Sequence, residues 1–340
     1  GVVVAAKFRS HAPLALLLAG MSVVSTVSLP LIRGYHYYGA GDALTHLGWT
    51  RSLVAGQSPL ELFYPGSHLI AATVHAIGFN VRHAMLLVAT LFVLVFLLFV
   101  PLTVRSVIPD GKAVLIGAFS GLLLLPIFHL GTSYMFIPYT FSMLFSAFVL
   151  YLLVRYVVAP IREETTVFEC SGTATLPFGA TGALLTLAGA TLILLHSQLM
   201  ADMVVLLGTV VVLQQLYRRK QPSHPIARQH LVTAETGVLL ALFIAWNAMH
   251  DVMFRLLIAI GNALFSETST GVASAVGQRG GSLRAIGASL PEIFAKLFLV
   301  NTVFAVVTVA LVAAIFFGRA PRLPAKARQL VLYLGVGGVA

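Results

Sequence analysis

Charge is what this sequence has least of. Asp, Glu, Lys and Arg together make up 9% of its 340 residues, where a water-soluble domain carries about 25%. Water is therefore excluded as the main solvent of the folded chain. A single cysteine, Cys170, rules out an intramolecular disulfide and any zinc or iron–sulfur centre built from several thiolates. Acidic residues are scarcer than basic ones, 11 against 21. The resulting net charge of +10 does not point to nucleic acid, because basic residues beside apolar helices set membrane orientation and meet anionic lipids. The apolar runs, 88–100 for example, lack the alternation that builds a closed β-barrel. No fixed-period repeat and no water-soluble domain is visible.

What remains is hydrophobic: 59% of the residues, with a mean hydropathy of +0.95. Apolar runs recur at about 17–25 residues, the length a helix needs to cross roughly 30 Å of hydrocarbon. They predict spans over 12–32, 84–104, 113–130, 137–154, 179–195, 201–216, 232–246 and 293–317, with a ninth beginning near Gln329. The fold class expected is an all-α polytopic membrane protein of about nine transmembrane helices, one transmembrane domain over 1–340. Its last span is cut short, so a missing C-terminal part is expected. Shorter apolar stretches at 67–79 and 252–265 are too short to span and read as interfacial or re-entrant helices.

Basic residues decide the orientation. With a cytoplasmic N-terminus, the inner segments hold fourteen of the 21 Lys and Arg, among them Arg105, Lys112, Arg155, Arg218, Lys220 and Lys326. The outer side then holds Arg33, Arg51, Arg82, Arg255, Arg279, Arg284 and Lys296, together with most of the histidines. The expected location is the cytoplasmic membrane, crossed many times. Two outer loops, 33–83 and 247–290, are long and each carries one short helix. Loops of that length are usually functional.

Three polar constellations fall on the outer side. Asp42 and His46 are four residues apart, on one face of a helix starting near Gly41. The carboxylate can serve as general base on a hydroxyl. The pair can instead supply two of the four ligands usual for zinc, a use requiring a divalent metal, or Asp42 can cap the helix. His196-Ser197-Gln198, with Asp202, interrupts an otherwise continuous apolar stretch. These residues either contribute to a site or form a turn with Asp202 as the next helix cap. Asn247-Ala248-Met249-His250-Asp251 closes the seventh span, and Arg255 follows, able to pair with Asp251 or to clamp a phosphate bidentately. Arg279 and Arg284 lie in a Gly/Ser-rich loop suited to anions. His129, Tyr134 and Tyr139 either line the same cavity or anchor the membrane interface; His75 and His83 read as structural.

The stretch Gly41-Asp42, His46, Arg51, Gly56-Gln57-Ser58-Pro59 and Tyr64-Pro65-Gly66-Ser67-His68 resembles the first-loop region of the GT-C superfamily of integral-membrane glycosyltransferases. The turn at His196-Ser197-Gln198 is similar to a His-containing turn of its prokaryotic members. The resemblance implies transfer of a sugar, with inversion, from a polyprenyl-phosphate donor to a glycan, lipid or protein acceptor at the outer face. It implies Asp42 as acceptor base with His46 beside it. It further implies substrate contacts from His68, His196, Gln198, Asp202 and His250, and donor phosphate on Arg255 or Arg284. No second acidic residue stands beside Asp42, which departs from many members. The alternatives are a transporter or lipid flippase, which would place polar groups near the midplane, and a non-catalytic membrane scaffold.

Overall fold

The computed structural model describes residues 12–35, 41–124, 136–158, 179–251, 258, 299–317 and 324–337. Regular structure among them is helical, with no strand. Within the described residues, helices fall on the apolar runs: α1 (Ala12–Val27) continuing into α2 (Leu29–Ile32), then α5 (Val81–Val107), α6 (Gly111–Leu124), α7 (Pro138–Val158), α8 (Ala180–Leu195), α9 (Ser197–Lys220), α10 (Thr233–Ala248), α11 (Leu299–Phe316) and α12 (Ala325–Gly337). Between α2 and α5 lie two short helices, α3 (Asp42–Val54) and α4 (Gly66–Ala76).

Among the described residues, three helices are long and apolar enough to cross a membrane: α5, α7 and α9. The shorter apolar segments, such as Ala180–Leu195 and Thr233–Ala248, cover about 24 Å at 1.5 Å per residue, less than a full hydrocarbon core. Large aliphatic side chains point outward along them, with Leu187 at 65%, Val306 at 62% and Val309 at 63% exposure. Exposed apolar surface on this scale marks a surface for lipid or for another protein.

The ends of these helices sort into two sets. At one end the Phe136 ring before α7 meets His46 and His68, Tyr139 meets His196, and the Trp246 indole donates to the Phe63 carbonyl. At the other end Arg105, Arg155 and Lys326 line one cavity, and Gln229 donates to Gln329. The histidine-rich and basic ends inferred from the sequence are thus physically opposite ends of the same helices.

Two hydrophobic cores support them. One lies beneath the histidine end, where Leu47, Ala71, Met85, Phe92, Phe136, Phe141 and Leu195 pack together. The second joins α7 to α12 through residues such as Leu185, Leu192, Met200, Leu207, Leu239 and Tyr333. The first core fixes α3 and α4 onto α5, and α4 also packs on α8. That is how a loop between apolar helices becomes a rigid platform.

Candidate functional site

The platform starts at Gly41, whose φ of 57° is a left-handed conformation that glycine adopts without strain. Gly41 is the N-cap of α3, and Asp42 lies in the first helical turn without a capping hydrogen bond. The reading of Asp42 as the cap is therefore corrected: glycine fills that position, and the carboxylate turns to His46 instead. Four residues on, His46 shares its face, with Asp42 Oδ2 3.4 Å from His46 Nε2. Asp42 is 69% exposed and His46 only 1%, so the pair connects the surface to the interior.

α4 brings the second imidazole. Pro65 fits the entry to this helix, since a proline there forfeits no intrahelical bond. Gly66 then presses against the end of α8: a Cβ at this position would lie 3.0 Å from the carbonyl carbon and oxygen of Leu194. This contact seats His68, fully buried, with its Nε2 3.1 Å from His46 Nδ1. His68 Nδ1 lies 3.2 Å from the Tyr64 carbonyl oxygen.

Those distances fix the protons. A carbonyl only accepts, so His68 Nδ1–H donates to Tyr64. Burial, then the neighbouring His46, hold the His68 imidazole down to about 3, so it is neutral and its Nε2 is bare. His46 Nδ1–H must then donate to His68 Nε2. That leaves His46 Nε2 as the acceptor facing Asp42. Burial lowers His46 as well, against the raising effect of the Asp42 carboxylate. The result is a line of contacts from Asp42 through His46 and His68 to a backbone carbonyl, in which the Asp42 carboxylate and the bare His46 Nε2 face each other and can hold one added proton between them.

Aromatic rings supply the desolvation. Trp49 meets His46 at 5.1 Å between centroids and His68 at 5.8 Å, and Phe136 closes another side. Tyr64 stacks on His196, 5.1 Å apart with 25° between planes. Burial and then His46 bring His196 down to about 4. Burial, helped by the Asp42 charge, raises the Tyr64 phenol. Tyr139, weighed in the sequence as cavity or anchor, packs edge-on against His196 at 5.1 Å.

His250 joins from the end of α10. Its Nδ1–H donates to the Trp246 carbonyl at 2.9 Å, and its ring faces Phe63 at 5.3 Å. Trp246 in turn holds Phe63 through its indole N–H, 2.9 Å from the carbonyl. Ser197 donates to Asn247 Oδ1 at 2.7 Å, tying α9 to α10. Among the described residues, five buried polar side-chain atoms lack a hydrogen-bond partner in the protein. Ser67 Oγ, Thr140 Oγ1, His196 Nδ1 and His250 Nε2 belong to this end, and Glu235 Oε2 is the fifth. Buried polar atoms are normally satisfied, so four at one end set that end apart from the rest of the described residues.

The structure does not bring every expected residue here. Helix α9 begins at Ser197, with His196 alone forming the break. Asp202 consequently lies inside the helix and caps nothing, which corrects the turn-and-cap reading. Gln198 and Asp202 are exposed and make no hydrogen bond to the imidazole cluster. Arg255, Arg279, Arg284, His129 and Tyr134 lie outside the described residues, as does most of the 252–265 segment. No group of three or more His, Cys, Asp or Glu side chains among the described residues could hold a metal ion, and both His46 nitrogens are directed at protein partners. Sequence reasoning missed Trp49 and the holding role of Trp246. No protein-family model, no curated protein and no solved structure matches the chain.

Proposed function

We propose that the protein is a multi-pass membrane glycosyltransferase that moves a sugar from a polyprenyl-phosphate donor to an acceptor hydroxyl at the outer membrane face. The observation that carries this reading is the Asp42–His46–His68 chain, an exposed carboxylate backed by a buried neutral imidazole with a bare Nε2. In the proposed step Asp42 takes the hydroxyl proton and shares it with His46 Nε2. The acceptor oxygen bonds to the anomeric carbon with inversion while the carbon–oxygen bond to phosphate breaks, and polyprenyl phosphate leaves. General base assistance of this kind contributes about 10²–10⁴-fold, and arginines stabilise the departing charge. Arg255 and Arg284 are the proposed phosphate partners.

The acceptor, a glycan, lipid or protein, would present its hydroxyl to the exposed Asp42 carboxylate. A nine-span topology with a cytoplasmic N-terminus puts this end outside and the basic end inside. Location of the polar cluster at helix ends, away from the midplane that carriers use, favours the enzyme over the transporter. Incubation of the purified chain with a panel of radiolabelled polyprenyl-phosphate and polyprenyl-diphosphate sugars tests the proposal. Transfer from at least one donor is expected; no transfer from any, by protein shown to be folded, would overturn it.

A further inference from the structure

At the opposite helix ends, Arg105, Arg155 and Lys326 line a cavity of about 630 Å³ together with Ser106 and Tyr151. Its volume lies within the range of small-molecule sites, about 300–1,000 Å³. Arg105 and Arg155 sit in the last turns of α5 and α7, where cations complement the negative helix ends. That ordinary explanation fails for Lys326. It is the second residue of α12, whose first turn carries no acidic residue, and a cation is disfavoured at the positive end of a helix. Among the described residues the cavity lining contains no carboxylate, and none of the three cations pairs with a described acidic residue. Three like charges from helices far apart in sequence thus converge with a helix N-terminus on one hollow.

We infer that this cavity binds a phosphate group, and that the group is the headgroup of an anionic phospholipid. The arginines offer planar forks that match phosphate oxygens, and Lys326 adds a point charge. Leu102 and Val107 in the same lining provide apolar wall beside the charges, as a lipid requires and a free phosphate does not. The site is separate from the Asp42 end and would operate whatever reaction occurs there.

The test is native mass spectrometry of the detergent-purified full chain, titrated with phosphatidylglycerol, phosphatidylcholine or inorganic phosphate. Phosphatidylglycerol should bind in preference to phosphatidylcholine, and the Arg105→Gln/Arg155→Gln double variant should weaken that binding about thirtyfold, the effect of removing two interfacial cations. Lys112→Gln, a basic residue at the same end but outside the lining, should shift it less than about fivefold. Binding of inorganic phosphate that is equally tight and lost in the double variant upholds the phosphate site but overturns the lipid assignment. Equal binding of both lipids, or equal losses in the Lys112 and double variants, overturns the site. Should the double variant fail to give a single size-exclusion peak, exposed Lys326→Gln takes its place and must also lose binding.

Discussion

His46 Nδ1 stands 3.1 Å from His68 Nε2, and the Tyr64 carbonyl behind His68 dictates which ring donates. Both imidazoles must carry their proton on Nδ1. Nitrogen-15 spectra of histidine-labelled protein at pH 7 should show these two rings in the Nδ1–H form, assigned by their loss in His46→Asn and His68→Asn. A ring with its proton on Nε2 at either position would break the chain.

The same burial makes stability depend on acid. An unfolded imidazole titrates near 6.5, whereas His68 and His196 titrate at about 3 and about 4 in the fold. Between those values the unfolded chain holds more protons, so stability rises with pH. The contribution is complete above pH 6.5 and is lost as pH falls toward 3. Apparent melting temperatures should therefore drop progressively below pH 6.5, and His68→Asn should flatten the slope. An unchanged slope in that variant would contradict the burial argument.

Gly66 is where α4 meets the end of α8. A Cβ would stand 3.0 Å from backbone atoms of Leu194, which cannot rotate aside. Gly66→Ala should destabilise by about 1–3 kcal/mol, the usual cost of overpacking, and should displace His68. Thermal unfolding reads the first effect and the His68 nitrogen-15 shift reads the second; Ala72→Gly, a neighbour on the same helix, serves as the reference.

How much of this was legible beforehand follows from the range of each interaction. Apolar runs located α5, α7 and α9, because the need for uninterrupted hydrocarbon contact is written locally. The Asp42–His46 pairing was legible for the same reason, four residues being one helical turn. His68 lies 22 residues from His46 and Trp246 lies 183 from Phe63; no spacing rule reaches that far. Polar residues such as Asp202 signal a turn nearby without fixing its position. A single extended residue, His196, proved enough to make it. Residue type alone lets Asp42 read as a cap, whereas the left-handed turn at Gly41 makes the glycine the cap.

Trp246 secures the Phe63–Tyr64 segment through one hydrogen bond. Trp246→Phe keeps most of the ring but removes the indole N–H, leaving the Phe63 carbonyl without that donor. A loss of about 0.5–1.5 kcal/mol is expected, measured as a lower melting temperature. Tyr64 should become less well held against His196, seen as greater line width of the His196 ring signal. No change in either would mean the indole is only filling space.

The central claim is that Asp42 accepts the proton of the attacking hydroxyl. Its most direct test is the rate of labelled-sugar transfer by Asp42→Asn beside wild type, with both proteins matched for folding by size exclusion and melting temperature. Asn keeps the shape and removes the basicity, so transfer should fall by at least about 10²-fold while the exposed position leaves stability unchanged. Transfer at the wild-type rate would contradict the account and move the base elsewhere.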